Sequence, residues 1–371
     1  MAEEDRGGVP YEELFARASR AATDQECEQV LAEIERLLRT ARDPSSRGRL
    51  LMCRARVRSN QWRTAAVFED AREAMKLFER AGEGDLVIDA ASWAAAHASR
   101  LGELSVASDL ATRSLLALAL VEDDRLRMEI FNRLGIFCTS FLDYDRAVEY
   151  YEASLGAAER LGDRDKISRQ LHNIADALLL AVRQKRLAHV ETGRNELARA
   201  ETMVRELLAQ ATDEFIHRGA SYRLLAEALC ELGRPEEGLA VLDQYRDQID
   251  SVAAAAQRAA VAWIEARCRR LAGQPHQAVV EAQKAVAMAQ NSEDVHELML
   301  ALEELAACQE AAGDLAAALA TAREVKATMW RIHQRQARQL VVEVWARADF
   351  IRDQAAVQVQ AAEAGRRARS R

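Results

Sequence analysis

Aromatic residues make up only 5% of this 371-residue chain, proline occurs four times, and lysine supplies five of the 51 basic residues. Scarce proline beside abundant Ala, Leu, Glu and Arg is the balance of an all-helical protein, because proline is the costliest residue in a helix interior and those four are good helix formers. No run approaches the roughly 18 apolar residues that a bilayer span needs. The N-terminus, MAEEDRGGVP, is acidic and polar where a secretion signal would be basic and then apolar. A soluble, cytoplasmic protein is therefore expected. A net charge of −8 and a pI near 5.6 oppose a nucleic-acid surface as its main business. The six cysteines, at 27, 53, 138, 230, 268 and 308, form no C-x2-C pair and fall inside helical patterns. Reduced thiols filling small buried slots are expected.

Signatures of chemistry are missing as well. The chain has no G-x4-G-K-[ST] loop, no G-x-G-x2-G after a strand, no G-x-S-x-G elbow and no H-E-x2-H. His296-Glu297 lacks the second histidine, and the seven histidines show no metal-ligand spacing. His97 follows Trp93 by four residues, which on a helix makes a packed pair. No catalytic residue, metal or cofactor is assigned, and the sequence reads as that of a non-enzyme.

What the chain does contain is a repeat. Its cleanest copy is Phe131 to Ser154, with Phe131-x2-Leu134-Gly135-x2-Cys138 followed by Ala147-x3-Tyr151-x2-Ser154. This resembles the tetratricopeptide repeat (TPR) pattern, in which a small residue lets one helix lie close against its antiparallel partner. Steps of 40 residues from Gly135 reach Ala55, Ala95 and Ala175, and after one interval of 51 they continue through Ala226, Ala266 and Ala306. Gly102, Gly233, Gly273 and Gly313 each stand seven residues after a small residue, where the turn between paired helices belongs. Asp24 and Asp314 read as helix N-caps, and Pro235 and Pro275 as first-turn residues. The first unit is atypical, with Leu14, Cys27, Leu31 and Ile34 in apolar places but Phe15 in the small one. A terminal cap is expected to look like that.

The resemblance is to the long-helix TPR subclass of bacterial regulators and kinesin light chains. It implies an all-α, right-handed superhelical solenoid of about eight helix-turn-helix units over residues 11–335, after a disordered segment 1–10. The 11 extra residues near 183–201 are expected to lengthen two helices or to form a projecting loop. A long C-terminal helix with a basic tail is expected over 336–371. Its apolar residues follow a three-four spacing, and pairing of two chains through Val341, Val344, Ala348 and Ile351 is expected to give a homodimer.

In a TPR array the first helix of each unit lines a concave groove. The frame then assigns to that groove Asn132, Ile136, His172, Asn173, Asp176, Arg223, Glu227, Trp263, Arg267, Arg270, Glu303 and Glu310. These are expected to be exposed, with asparagines serving the backbone of an extended peptide and arginines its carboxylates. A protein or peptide partner is implied. Two narrower resemblances accompany this one. The array with its trailing helix looks like the N-terminal sensory half of actinobacterial diguanylate cyclases without the catalytic domain, and it also looks like a peptide-pheromone receptor of the bacterial TPR type.

Overall fold

The computed structural model describes residues 11–330, apart from 22, 62, 119–120, 188–192, 213–214, 216, 251–254 and 291–294. Of the described residues, 88% are helical and none is in a strand. Helical pairs follow one another along the chain. They are α1 (Tyr11–Arg20) with α2 (Asp24–Thr40), α3 (Pro44–Asn60) with α4 (Thr64–Ala81), α5 (Gly84–Leu101) with α6 (Leu104–Leu118), and α7 (Asp124–Ser140) with α8 (Tyr144–Leu161). There follow α9 (Arg164–Leu187) with α10 (Arg194–Gln210), α11 (Arg218–Glu231) with α12 (Pro235–Gln244), α14 (Ala255–Leu271) with α15 (Pro275–Gln290), and α16 (Val295–Ala311) with α17 over 315–330. The short α13 (Arg246–Asp250) continues α12 past a break at Tyr245, whose ring stacks on Tyr222 at 3.7 Å. Eight pairs result, as the period requires.

The small residues sit where first helix meets second. Ala55, Ala95, Ala175, Ala226 and Ala266 are at most 1% exposed, and a Cβ at Gly135 would overlap the ring of Tyr151. Across that contact Ser154 Oγ donates to Met128 O at 2.7 Å, pinning α8 to α7. Ala306 is only half-buried, because no further first helix follows α16 among the described residues. In the first pair Phe15 is half-buried and the fully buried small residue is Ala18, one turn later. All six cysteines are free and buried.

The four expected glycines have φ between 76° and 83° at the turns within pairs. At the same place in the fourth pair stands Leu142, with φ 59°, a left-handed backbone that costs a side-chain-bearing residue roughly 1–2 kcal/mol. One cap differs from expectation. Asp24 is the first residue of α2, and its N-cap is Thr23, which accepts from Glu26 N at 3.2 Å while the Glu26 carboxylate accepts from Thr23 N at 3.0 Å. Asp314 caps α17 as expected, accepting from Ala317 N at 3.0 Å. Pro235 and Pro275 open α12 and α15.

The insertion lengthens a first helix. Helix α9 has 24 residues where no other helix among the described residues exceeds 18, and α10 keeps an ordinary 17. The expected segment 1–10, the C-terminal helix 336–371 and the pairing residues Val341, Val344, Ala348 and Ile351 lie outside the described residues. Among the described residues no helix is long and apolar enough to cross a membrane.

Candidate functional site

The first helices α1 and α3, α5 and α7, α9 and α11, α11 and α14, and α14 and α16 pack against one another as well as against their own partners. Side chains pointing away from the second helices therefore converge on one inner face. In α11 every residue from Ser221 to Cys230 is buried, so the helix has no solvent side. This overturns the expectation of exposure for Asn132, Arg223, Glu227 and Trp263, which are 6%, 8%, 0% and 1% exposed. A single-helix frame picks out positions that meet across units, as Asn132 does with Asn173 and Asp176 with Arg223. It cannot show that the facing units cover them.

The expected groove residues are tied to one another across units. Asn173 Nδ2 donates to Asn132 Oδ1 at 2.8 Å, and His172 Nδ1 lies 3.0 Å from Ser221 Oγ. Asp176 receives Arg223 at 3.3 Å. Trp263 Nε1 donates to Glu297 at 3.1 Å, and the guanidinium of Arg183 lies 5.0 Å over the indole ring. Arg267 bridges Glu231 at 3.0 Å and Glu304 at 3.4 Å, and Arg270 reaches Glu304 at 2.7 Å. Ile136 is half-buried against apolar neighbours, Glu303 is half-buried and Glu310 is exposed. Glu304, which the sequence presents as half of a solvated acidic pair with Glu303, is 5% exposed and holds two arginines.

Three charge clusters run along this face. In the middle one, Arg183 from the lengthened α9 makes two 2.5 Å hydrogen bonds to Glu227, a fork-to-fork pair that is stronger and more directional than a neutral bond. Burial pulls the Arg183 pKa down, but Glu227 outweighs it and the net direction is up. Toward the C-terminus, Arg186 and Arg267 meet Glu231, Arg267 and Arg270 meet Glu304, and the three arginines line a cavity of about 210 Å³ with Glu303 and Glu304. Trp263, Leu300 and Ala307 complete its lining. Burial raises the Glu303 pKa there.

Toward the N-terminus the centre is Glu129. Lys166 contacts it directly, Arg133 lies at 3.4 Å, and Arg56 and Arg169 each lie at 3.9 Å. Burial alone would raise its pKa, and those four cations bring it well below the ordinary carboxylate value. Arg133 also holds Asp89 and donates to Ser92 Oγ at 2.9 Å. Trp93 carries the guanidiniums of Arg56 and Arg133 at 5.0 and 4.9 Å, and stacks on His97 at 5.7 Å as its spacing implied.

His97, His172 and Cys53 are poorly suited to proton transfer at neutral pH. Burial, then nearby arginines, pushes His97 down to about 2, and burial with Arg223 pushes His172 down to about 3. Burial pushes the Cys53 thiol up to about 12. Among the described residues no group of three or more His, Cys, Asp or Glu could hold a metal ion.

The frame leaves out Arg56, Glu129, Arg133, Lys166, Arg169, Arg183 and Arg186. Arg56 was nonetheless legible, because it stands one residue after Ala55, the same offset as Asp176, Glu227 and Arg267. Glu129 and Arg169 each stand six before their small residue, a turn that the groove offsets do not sample.

No family model matches the sequence, and no curated protein matches it. Solved structures do. A Rap protein complexed with Competence and Sporulation Factor aligns with TM-score 0.63 at 9% identity, covering 89% of this chain and 97% of that one. NprR in complex with its cognate peptide NprX aligns with TM-score 0.55 at 14% identity, over 87% and 77%. Aspartyl phosphate phosphatase F from Bacillus subtilis aligns with TM-score 0.54 at 11% identity, over 88% and 85%. At such identities the likeness concerns the fold, and this chain has the TPR-type helical-repeat fold its sequence implied. The resemblance to diguanylate cyclase sensory regions finds no support in these comparisons.

Proposed function

We propose that this TPR-type array is a non-catalytic scaffold that holds a protein or peptide segment along its inner face, in the bacterial cytoplasm. The observation that carries the reading is the cavity of about 210 Å³ where Arg186, Arg267 and Arg270 stand beside Trp263. Arginine and tryptophan are the residue types on which binding energy most often concentrates, and a guanidinium recognises carboxylates and backbone carbonyls in a fixed geometry. NprR, of the same fold, is solved in complex with its cognate peptide, which favours a peptide-receptor role over the sensory half of a cyclase. Pairing of two chains through Val341, Val344, Ala348 and Ile351 belongs to the same proposal.

The test begins with a photocrosslinking residue in place of Leu300, used in the source cell to capture the segment that enters the cavity. Affinity for that segment is then measured with Arg270→Ala and with Arg146→Ala, whose side chain projects from α8 and is 71% exposed. The inner-face change should weaken binding by about 2 kcal/mol, and the outer one should leave it unaltered. Equal affinities would remove the inner face from the reading.

A further inference from the structure

The cluster around Glu129 lacks the anion that its cations call for. Four cations, Arg56, Arg133, Lys166 and Arg169, surround Glu129, and the second carboxylate, Asp89, is held by Arg133 alone. Arg56 is 91% buried by its 9% exposure, with Nη2 directed at Glu129 from 3.9 Å, and neither its Nε nor its Nη2 makes a hydrogen bond. Trp93, in contact with that guanidinium and 4% exposed, leaves its indole N–H without an acceptor. These are all donors, and a buried donor without an acceptor costs on the order of 1–3 kcal/mol. Arg169 touches Glu129 only at 3.9 Å, too far for a hydrogen bond. The like charges also crowd one another. Burial first, and then Arg169, depresses the Arg56 pKa to about 10, and burial with Arg169 depresses Lys166 to about 8.

The middle and C-terminal clusters supply the contrast. There Arg183 is matched by a bidentate carboxylate, and Arg267 and Arg270 share Glu304. Arg223 Nε and Arg267 Nε there also lack an acceptor, so what marks the N-terminal cluster is its excess of two cations over carboxylates, the makings of an anion site. Its shape narrows the anion. The donors come from α3, α5 and α9 across the width of the face, which suits an extended chain lying along it.

We infer that the inner face between α3 and α9 binds an acidic peptide segment, with a side-chain carboxylate of the segment received by Arg56, Arg169 and Lys166. This rests on the proposed function and specifies the chemistry of what the inner face holds.

The experiment uses the full chain and N-acetylated, C-amidated hexaglutamate as probe, with hexalysine and sodium phosphate at matched ionic strength as the other arms. Calorimetric titration should show hexaglutamate binding, no binding of hexalysine, and a loss of affinity of about tenfold or more for Arg169→Gln. Lys166→Arg, which keeps the charge, should bind as the wild type does. Undiminished binding by Arg169→Gln would overturn the inference. So would phosphate alone competing fully with hexaglutamate, which would assign the site to a free oxyanion. If the photocaptured segment is weakened by Arg270→Ala but binds Arg169→Gln normally, the inner-face reading stands and the acidic-segment inference falls.

Discussion

Around Glu129 four cations share two carboxylates, whereas around Glu231 and Glu304 three arginines share those two and a third carboxylate, Glu303, lines the cavity beside them. Both regions lie on the inner face of the same array, and both place arginine beside tryptophan. What separates them is which side of the charge ledger the fold completes by itself. A cluster with as many carboxylates as cations holds neighbouring units in register through ion pairs that cross from unit to unit. An incomplete one adds self-repulsion to the folded state, and only an added anion relieves it.

Removing the central carboxylates should give the largest effects. Glu129→Gln is expected to cost about 3–5 kcal/mol, toward the upper end because four cations lose their shared partner, and Glu227→Gln slightly less because only Arg183 and Arg223 lose theirs. Urea unfolding followed by circular dichroism measures both, and a loss at Glu129 smaller than that at Glu227 would reverse the comparison.

Raising the pH should come next. The Lys166 pKa is about 8 in the fold against 10.5 ordinarily. Between those values the unfolded chain binds more protons than the folded one, so stability rises with pH through this group. The unfavourable contribution is fully present below pH 8 and disappears as pH climbs toward 10.5, amounting to at most about 3 kcal/mol. Buried thiols such as Cys53, held near 12, pull the opposite way above the ordinary thiol value. The quantity to measure is therefore the difference between wild type and Lys166→Met, which should grow with pH in favour of the wild type. A constant difference would mean that Lys166 is not crowded.

Arg169→Gln sharpens the contrast by its sign. Dropping one excess cation should leave the free protein as stable or stabilise it by up to about 1 kcal/mol, whereas the same change at Arg183 should cost about 3 kcal/mol or more. Melting temperatures of the two variants decide it. The smallest effect belongs outside both clusters. Leu142→Gly should stabilise the fourth turn by less than about 1 kcal/mol, because relief of the left-handed backbone is partly offset by glycine's greater freedom when unfolded.

The fold was legible because two independent marks kept the same period, small residues at the helix crossings and glycines seven residues on. Gly82 and Gly162 turn between pairs with positive φ and went unused, since the frame looked only within pairs. The cross-unit contacts were legible as a set of positions, since Asn132, Asn173, Arg223, Glu227 and Arg267 all pair with residues of neighbouring units. Their burial was not. Whether Glu227 faces water depends on Arg183 one pair earlier in the sequence, 44 residues away, and helical periodicity carries no information over that distance. The length of α9 was half legible: eleven extra residues were plain, but only the structure shows that α9 exceeds the longest of the other described helices by six residues.

That length bears on how the array comes apart. In an ideal solenoid each unit touches only its neighbours, so a terminal unit can peel away while the rest stays folded. Here Arg183 of α9 reaches past α11 to the ring of Trp263 in α14, and Arg56 of α3 reaches past α5 to Glu129 in α7. Each such link makes the loss of one unit felt two units away. Melting should therefore be shared over larger blocks than a single pair of helices, and the interior of the array should exchange its amide hydrogens as one cooperative unit.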